Sequence, residues 1–366
     1  MRRLWQQTRN GVAALAPGRF PYRRFALALA IGCAGGWGFN ALKLPLPWIL
    51  GPMTTCTLAA LLRLPVSAPP VIRPPMTVVL GVMLGTAFRP DLLHQMQQWL
   101  PAFVGLILFM IASALACIVY FRAVGHFDPV TAFFAGMPGG LVEMVTVGEE
   151  KGGDGKVISL VHSARILLVV MGLPFVIQHL AGVELGGRRP VGLSLMETPL
   201  ASDLWLVFCG ISGMVVAHLI GMPSKFLLGP MFATAFVHVM GFATFAPPME
   251  ILIAAQLVLG TTIGCRFVGT PPREILRVLG LSLGSTLILL VLTALFSFSV
   301  SRVTDFEIVP LMLAYSPGGL AEMSLVALAL HIEVAFVAAH HVARVFIIML
   351  GAGPLFTLLG RGDNAE

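Results

Sequence analysis

The chain reads as long apolar runs separated by short polar or proline-rich breaks. The runs fall at about 25–42, 48–62, 76–88, 99–121, 129–148 and 156–180. They resume at about 203–221, 226–242, 249–265, 275–299, 308–330 and 333–358. None shows the two-residue alternation of a barrel strand, and several approach the ~20 apolar residues that cross a bilayer as helix. The pattern predicts an all-α polytopic membrane protein with about 10–12 transmembrane helices. The run at 76–88 is short for a crossing, which leaves it tilted, continuous with the preceding loop or re-entrant.

Two of the runs are interrupted in the same way. One contains Pro138-Gly139-Gly140-Leu141-Val142-Glu143-Met144, the other Pro317-Gly318-Gly319-Leu320-Ala321-Glu322-Met323. Proline removes a backbone donor and clashes with the preceding turn, and the two glycines reach dihedrals that other residues resist. Each stretch therefore ends one half-helix and lets another begin. The free N–H groups of the second half-helix then point into the break, and its dipole makes that end positive.

These two breaks belong to a longer correspondence. Pro138 and Pro317 are 179 residues apart, as are Glu143 and Glu322, His162 and His341, and Arg165 and Arg344. Leu80-Gly81 returns as Leu259-Gly260 at the same offset, and Leu50-Gly51-Pro52-Met53 returns as Leu228-Gly229-Pro230-Met231 one residue nearer. Near-constant spacing across separate blocks indicates two homologous repeats, each with a Pro-Gly-Gly broken helix. The implied division is a basic N-terminus (1–24), membrane repeat 1 (25–180), a linker (181–201), membrane repeat 2 (202–358) and a polar tail (359–366). Six spans per half would make the repeats parallel and five would invert them; the charges do not choose between these. The Leu-Gly-Pro-Met pairs read as helix kinks or as a second pair of breaks.

Composition agrees with this picture. Of 366 residues, 57% are hydrophobic and 11% charged, against about a quarter charged in soluble domains. The net charge of +6 comes from arginines in loops and termini, among them Arg2, Arg3, Arg9, Arg19, Arg23 and Arg24 ahead of the first acid, Asp91. Such a bias places the N-terminus on the cytoplasmic side, a topology signal in a bilayer protein rather than a nucleic-acid-binding arm. Cys33, Cys56, Cys117, Cys209 and Cys265 lie in or beside apolar runs without a CxxC pair and read as small buried side chains.

The candidate chemistry follows the breaks. Glu143 and Glu322 stand three residues into their half-helices, where a glutamate can fold back onto free N–H groups. They can also pair with Arg165 and Arg344, which follow by 22 residues in both halves (165 − 143 and 344 − 322). A further role is proton or cation coupling, since buried ionisable groups in membranes are costly and usually paired or functional. The arginines can alternatively hold an anionic substrate beside the helix N-termini. His162 and His341 precede the arginines by three residues, on the same helix face, as satisfied neutral rings or as a proton relay. His331, Glu333, His340 and His341 lack a metal-site spacing, and no cofactor motif or nucleophile elbow occurs.

With Gly-Pro-Met near the start of each half, Pro-Gly-Gly-Leu-x-Glu-Met in the fifth run and Ala-Arg in the sixth, the chain resembles the AbrB membrane-protein family over nearly its whole length. That family is internally duplicated and also carries an ammonia monooxygenase label; it is distinct from the small soluble DNA-binding proteins of the same name. The resemblance implies an integral inner-membrane protein with a link to regulation of gene expression, and brings no catalytic residues. Three functions follow as expectations. The first is a secondary transporter or channel-like protein for a small solute or ion, with its site between the broken helices (Pro138, Gly139, Gly140, Pro317, Gly318, Gly319, with Glu143, Glu322, Arg165, Arg344, His162 and His341). The second is a membrane regulator or sensor acting indirectly, and the third a membrane monooxygenase. Homo-oligomerisation stays open.

Overall fold

The structure, a computed structural model, describes residue 16 and residues 20–92, 96–181, 193–330 and 332–360. Arg2, Arg3, Arg9 and Arg19, most of the linker with Glu184, Arg188 and Arg189, His331, and the tail 361–366 lie outside the described residues. The described residues form helices and loops, with no strand among them.

The first half gives α1 (Tyr22–Ala41), α2 (Pro47–Leu61), α3 (Arg73–Gly85), α4 (Leu100–Ala123), α5 (Pro129–Gly136), α6 (Leu141–Glu150) and α7 (Gly155–Ala181). The second gives α8 (Leu200–Leu219), α9 (Lys225–Val239), α10 (Met249–Gly264), α11 (Pro272–Val303), α12 (Ile308–Tyr315), α13 (Leu320–Ala329) and α14 (Val334–Gly360). Every apolar run has become a helix, and the two interrupted runs have become two helices each. Six segments are long and apolar enough to cross a membrane: Met96–Ala123, Gly155–Gln178, Leu200–Leu219, Met249–Phe267, Ile275–Val303 and Val334–Pro354. The chain is an all-α polytopic membrane protein. The short third run is the 13-residue α3, which starts at Arg73, with Pro74 in the first turn where its missing N–H costs nothing.

The helices sort into two compact units, and each unit draws on both sequence halves. One comprises Met1–His94, Gln178–Thr270 and Leu328–Ala335; the other comprises Gln95–Ile177, Pro271–Ala327 and Phe336–Glu366.

In the first unit, glycine lets backbones touch. Gly35 of α1 and Gly51 of α2 lie against each other's carbonyls, and Gly213 of α8 and Gly229 of α9 do the same. Across the halves, Gly81 and Gly85 of α3 abut the Leu227 and Met231 carbonyls of α9, while Gly260 and Gly264 of α10 abut those of Ile49 and Met53 in α2. Small residues supply such contact where lipid removes the hydrophobic drive between helices. The Leu-Gly-Pro-Met motifs are therefore packing seams: Pro52 and Pro230 sit inside continuous helices, and neither is a second break.

In the second unit, α4 and α11 pack against each other. Gly105 faces Val300, Phe109 meets Phe296 with ring centroids 5.8 Å apart, and Gly284 faces the Tyr120 hydroxyl. Numbers rise along one helix as they fall along the other, so the pair is antiparallel. A side chain at the cross-half glycines of the first unit would strike backbone carbonyls. Gly81→Leu and Gly260→Leu should each destabilise the protein by about 1–3 kcal/mol through overpacking, whereas Gly280→Leu, with open space at its Cβ, should not. Thermal unfolding of detergent-purified protein reads the difference.

Candidate functional site

Each Pro-Gly-Gly segment is the tip of a helical hairpin in the second unit. At the first, α5 ends at Gly136 and α6 starts at Leu141. The chain then returns to where it entered. The Asp154 N–H donates to Thr131 Oγ1 at 2.8 Å, and Gly148 lies over Phe134. Asp128 caps α5 by accepting from the Thr131 N–H at 2.9 Å, and the Phe121 and Phe127 rings stack at 5.4 Å beside it. The second hairpin closes likewise: Phe306, just before α12, meets Phe336, just inside α14, at 5.1 Å. The interrupted runs are thus helical hairpins. One follows the C-terminus of α4 and the other that of α11, and since those helices are antiparallel, the hairpins start from opposite ends of the pair.

A helix that stops inside protein leaves its last carbonyls without partners, and one that starts there leaves its first N–H groups free. The tips place charge at both ends. At the first, His162 Nε2 lies 2.9 Å from the Phe134 carbonyl, Arg165 Nη1 donates to the Met137 carbonyl at 3.1 Å, and Arg165 Nη2 lies 2.7 Å from His162 Nδ1. At the second, His341 Nε2 meets the Leu313 carbonyl at 2.9 Å. Arg344 donates to Ser316 at 2.7 Å and Gly318 at 2.6 Å, and its Nη2 lies 2.8 Å from His341 Nδ1. Both guanidiniums stand at the negative ends of α5 and α12, where the helix dipole favours a cation.

The geometry assigns the ring protons. A guanidinium only donates, so each Nδ1 accepts and each Nε2 carries the proton that a carbonyl receives. Protonating either ring would cost the arginine bond and place two cations in contact. His162 and His341 therefore position the arginines as neutral rings.

Glu143 and Glu322 occupy the third positions of α6 and α13. Their carboxylate oxygens lie directly over Gly140 and Gly319, at the helix starts. That puts each carboxylate at the positive dipole end of its half-helix. The bonds of Arg344 go to tip carbonyls and His341, a different use from the carboxylate partnership that the 22-residue spacing suggested. The two tips are also neighbours: Gly139 packs on Ile348, one turn beyond Arg344 on α14, and Arg344 lies within electrostatic reach of Arg165.

A family model described as Transition state regulatory protein AbrB matches residues 48–360, most of the chain. The chain belongs to the AbrB family. Two relatives agree in length. A Bacillus subtilis (strain 168) protein, "Uncharacterized protein YhjN", is 27% identical over 356 residues, covering 90% of this chain and 92% of that one. An Escherichia coli (strain K12) protein, "Putative regulator AbrB", is 25% identical over 328 residues, covering 87% and 90%.

At the second tip of this AbrB-family protein, sequence reasoning missed Tyr315 and Ser324 and weighed His340 only as a metal ligand. Tyr315 donates its hydroxyl to the Ala102 carbonyl at 2.7 Å and stacks on Phe109. His340 is buried, stacked 4.2 Å from Phe103, with Nδ1 on the Phe336 carbonyl and Nε2 unpartnered. Ser324, one turn into α13, is buried with a free hydroxyl. Gly136, Val161 and Val145 hold the matching positions in the first half, so the repeat gave no signal for them. Among the described residues, no group of three or more His, Cys, Asp or Glu is placed to hold a metal ion.

Because Arg344 supports two tip carbonyls and Arg165 one, Arg344→Gln should cost more stability than Arg165→Gln. Each carbonyl left unpaired is worth about 1–3 kcal/mol, and thermal unfolding of the two variants side by side gives the order.

Proposed function

We propose that this AbrB-family protein is a secondary transporter or channel-like protein of the inner membrane, with its N-terminus cytoplasmic. Its site lies at the two hairpin tips. The observation that carries the reading is the pair of re-entrant hairpins starting from opposite ends of α4 and α11. Irregular backbone at membrane depth is tolerated where protein or a water-filled cavity surrounds it, and matching interrupted helices in two halves point to a transport site.

The same arrangement supports inverted repeats. Gly105 and Gly284 are equivalent positions at the 179-residue offset, and each packs on the other's helix in the antiparallel sense. Exchanging the halves is then a half-turn about an axis across the helices, which lies in the membrane plane. With each hairpin entering and leaving on one side, α1, α2, α3, α4 and α7 make five crossings per half, the odd number that inversion needs.

In this reading Glu143 and Glu322 are the coupling groups, able to alternate between capping a helix and releasing it. Glu143→Gln and Glu322→Gln should each reduce solute flux in proteoliposomes, and together abolish it, across a panel of labelled organic anions, cations and neutral solutes. Undiminished flux in the double variant would remove the coupling role. The name of the Escherichia coli relative favours a second reading, a membrane regulator that binds a ligand at the same tips without moving it. A deletion strain with altered transcription, alongside purified protein that binds a solute but does not carry it, would support that alternative.

A further inference from the structure

The two half-sites differ in how completely they are closed. At the second tip, Gly318, Leu320 and Glu322 are buried and Arg344 grips two carbonyls. At the first, the equivalent Gly139, Leu141 and Glu143 are only half-buried. Arg165 donates to one tip carbonyl, and its Nε is buried without a partner although the residue is 3% exposed. A guanidinium donor withheld from water and unmatched costs free energy until an acceptor arrives. It sits in the same planar group that bonds the Met137 carbonyl, four residues before the ten-residue α6 begins at Leu141.

We propose that the first hairpin tip binds a small monocarboxylate, accepted by Arg165 and the N-terminus of α6 in competition with the Glu143 carboxylate. The inference deepens the proposed function and rests on it for the ligand's route. A planar carboxylate fits the guanidinium edge. One negative charge balances one guanidinium, whereas a doubly charged phosphate would leave an uncompensated charge beside Glu143. Glu143 already occupies the α6 N-terminus, like a tethered copy of the ligand's own head group. It must leave that position, or lose its charge, for the ligand to enter. This competition ties occupancy to the state of a coupling carboxylate.

The test is thermal unfolding of the purified full chain titrated with acetate, lactate or benzoate. Sodium chloride of equal ionic strength, acetamide and phosphate are the comparisons. At least one monocarboxylate should raise the midpoint. Glu143→Gln should tighten its apparent binding, a gain that misfolding does not mimic. Arg165→Lys, which keeps the charge and loses the fork, should weaken it about tenfold or more, the worth of one charge-assisted hydrogen bond. No shift with any of the three acids, an equal shift with acetamide or phosphate, or unchanged binding in Glu143→Gln would overturn the proposal. Monocarboxylate binding without flux would remove transport and leave this site standing. Flux of a cation or neutral solute without monocarboxylate binding would remove this site and leave transport standing.

Discussion

Backbone that breaks at membrane depth must find partners within the protein, because lipid offers none. The hairpin unit is arranged around that constraint. Each Pro-Gly-Gly tip exposes the carbonyl end of one short helix and the amide end of the next. The Arg165–His162 and Arg344–His341 pairs take the carbonyls, and the Glu143 and Glu322 carboxylates lie at the amide ends. Each charge stands where the helix dipole of its own hairpin favours it. The spacing of 22 residues follows from this, being the length of chain that descends α6, turns, and climbs α7 back to the tip.

The glycine-rich unit meets a different demand with the same economy of sequence. There the cross-half contacts put glycine against backbone, Gly81 on Leu227 and Gly260 on Ile49. A motif that recurs at constant offset is thus used against its counterpart in the other half. The compact units cut across the sequence halves, and a chain with this pattern has no half that is complete by itself.

Helix positions were readable because apolar runs of this length have few alternatives in a bilayer, and all twelve runs became helices within a few residues. Glu143, Glu322, Arg165, Arg344, His162 and His341 could be picked out because each belongs to a pair repeated at one offset. What could not be read was how the backbone turns at Pro138 and Pro317. A break in a spanning helix and a re-entrant hairpin share one sequence pattern, and only contacts such as Asp154 to Thr131 separate them. Tyr315 and Ser324 were not readable, and His340 stood out only as a metal-ligand candidate, because the first half carries Gly136, Val145 and Val161 there. The partners of Arg344 escaped too: spacing brings a guanidinium to the tip, but backbone carbonyls are invisible in residue identities.

That asymmetry between equivalent positions matters physically. The two hairpin tips close differently, Arg344 gripping two carbonyls at one and Arg165 one at the other. The central claim beneath this is that the hairpins enter the membrane from opposite faces. Single cysteines at Gly152 and Asp305, at the bases of the two hairpins, can be labelled in a cysteine-free background with a membrane-impermeant maleimide, in right-side-out and inverted vesicles. The account predicts that one position labels only in right-side-out vesicles and the other only in inverted ones. Labelling of both from the same side would contradict it.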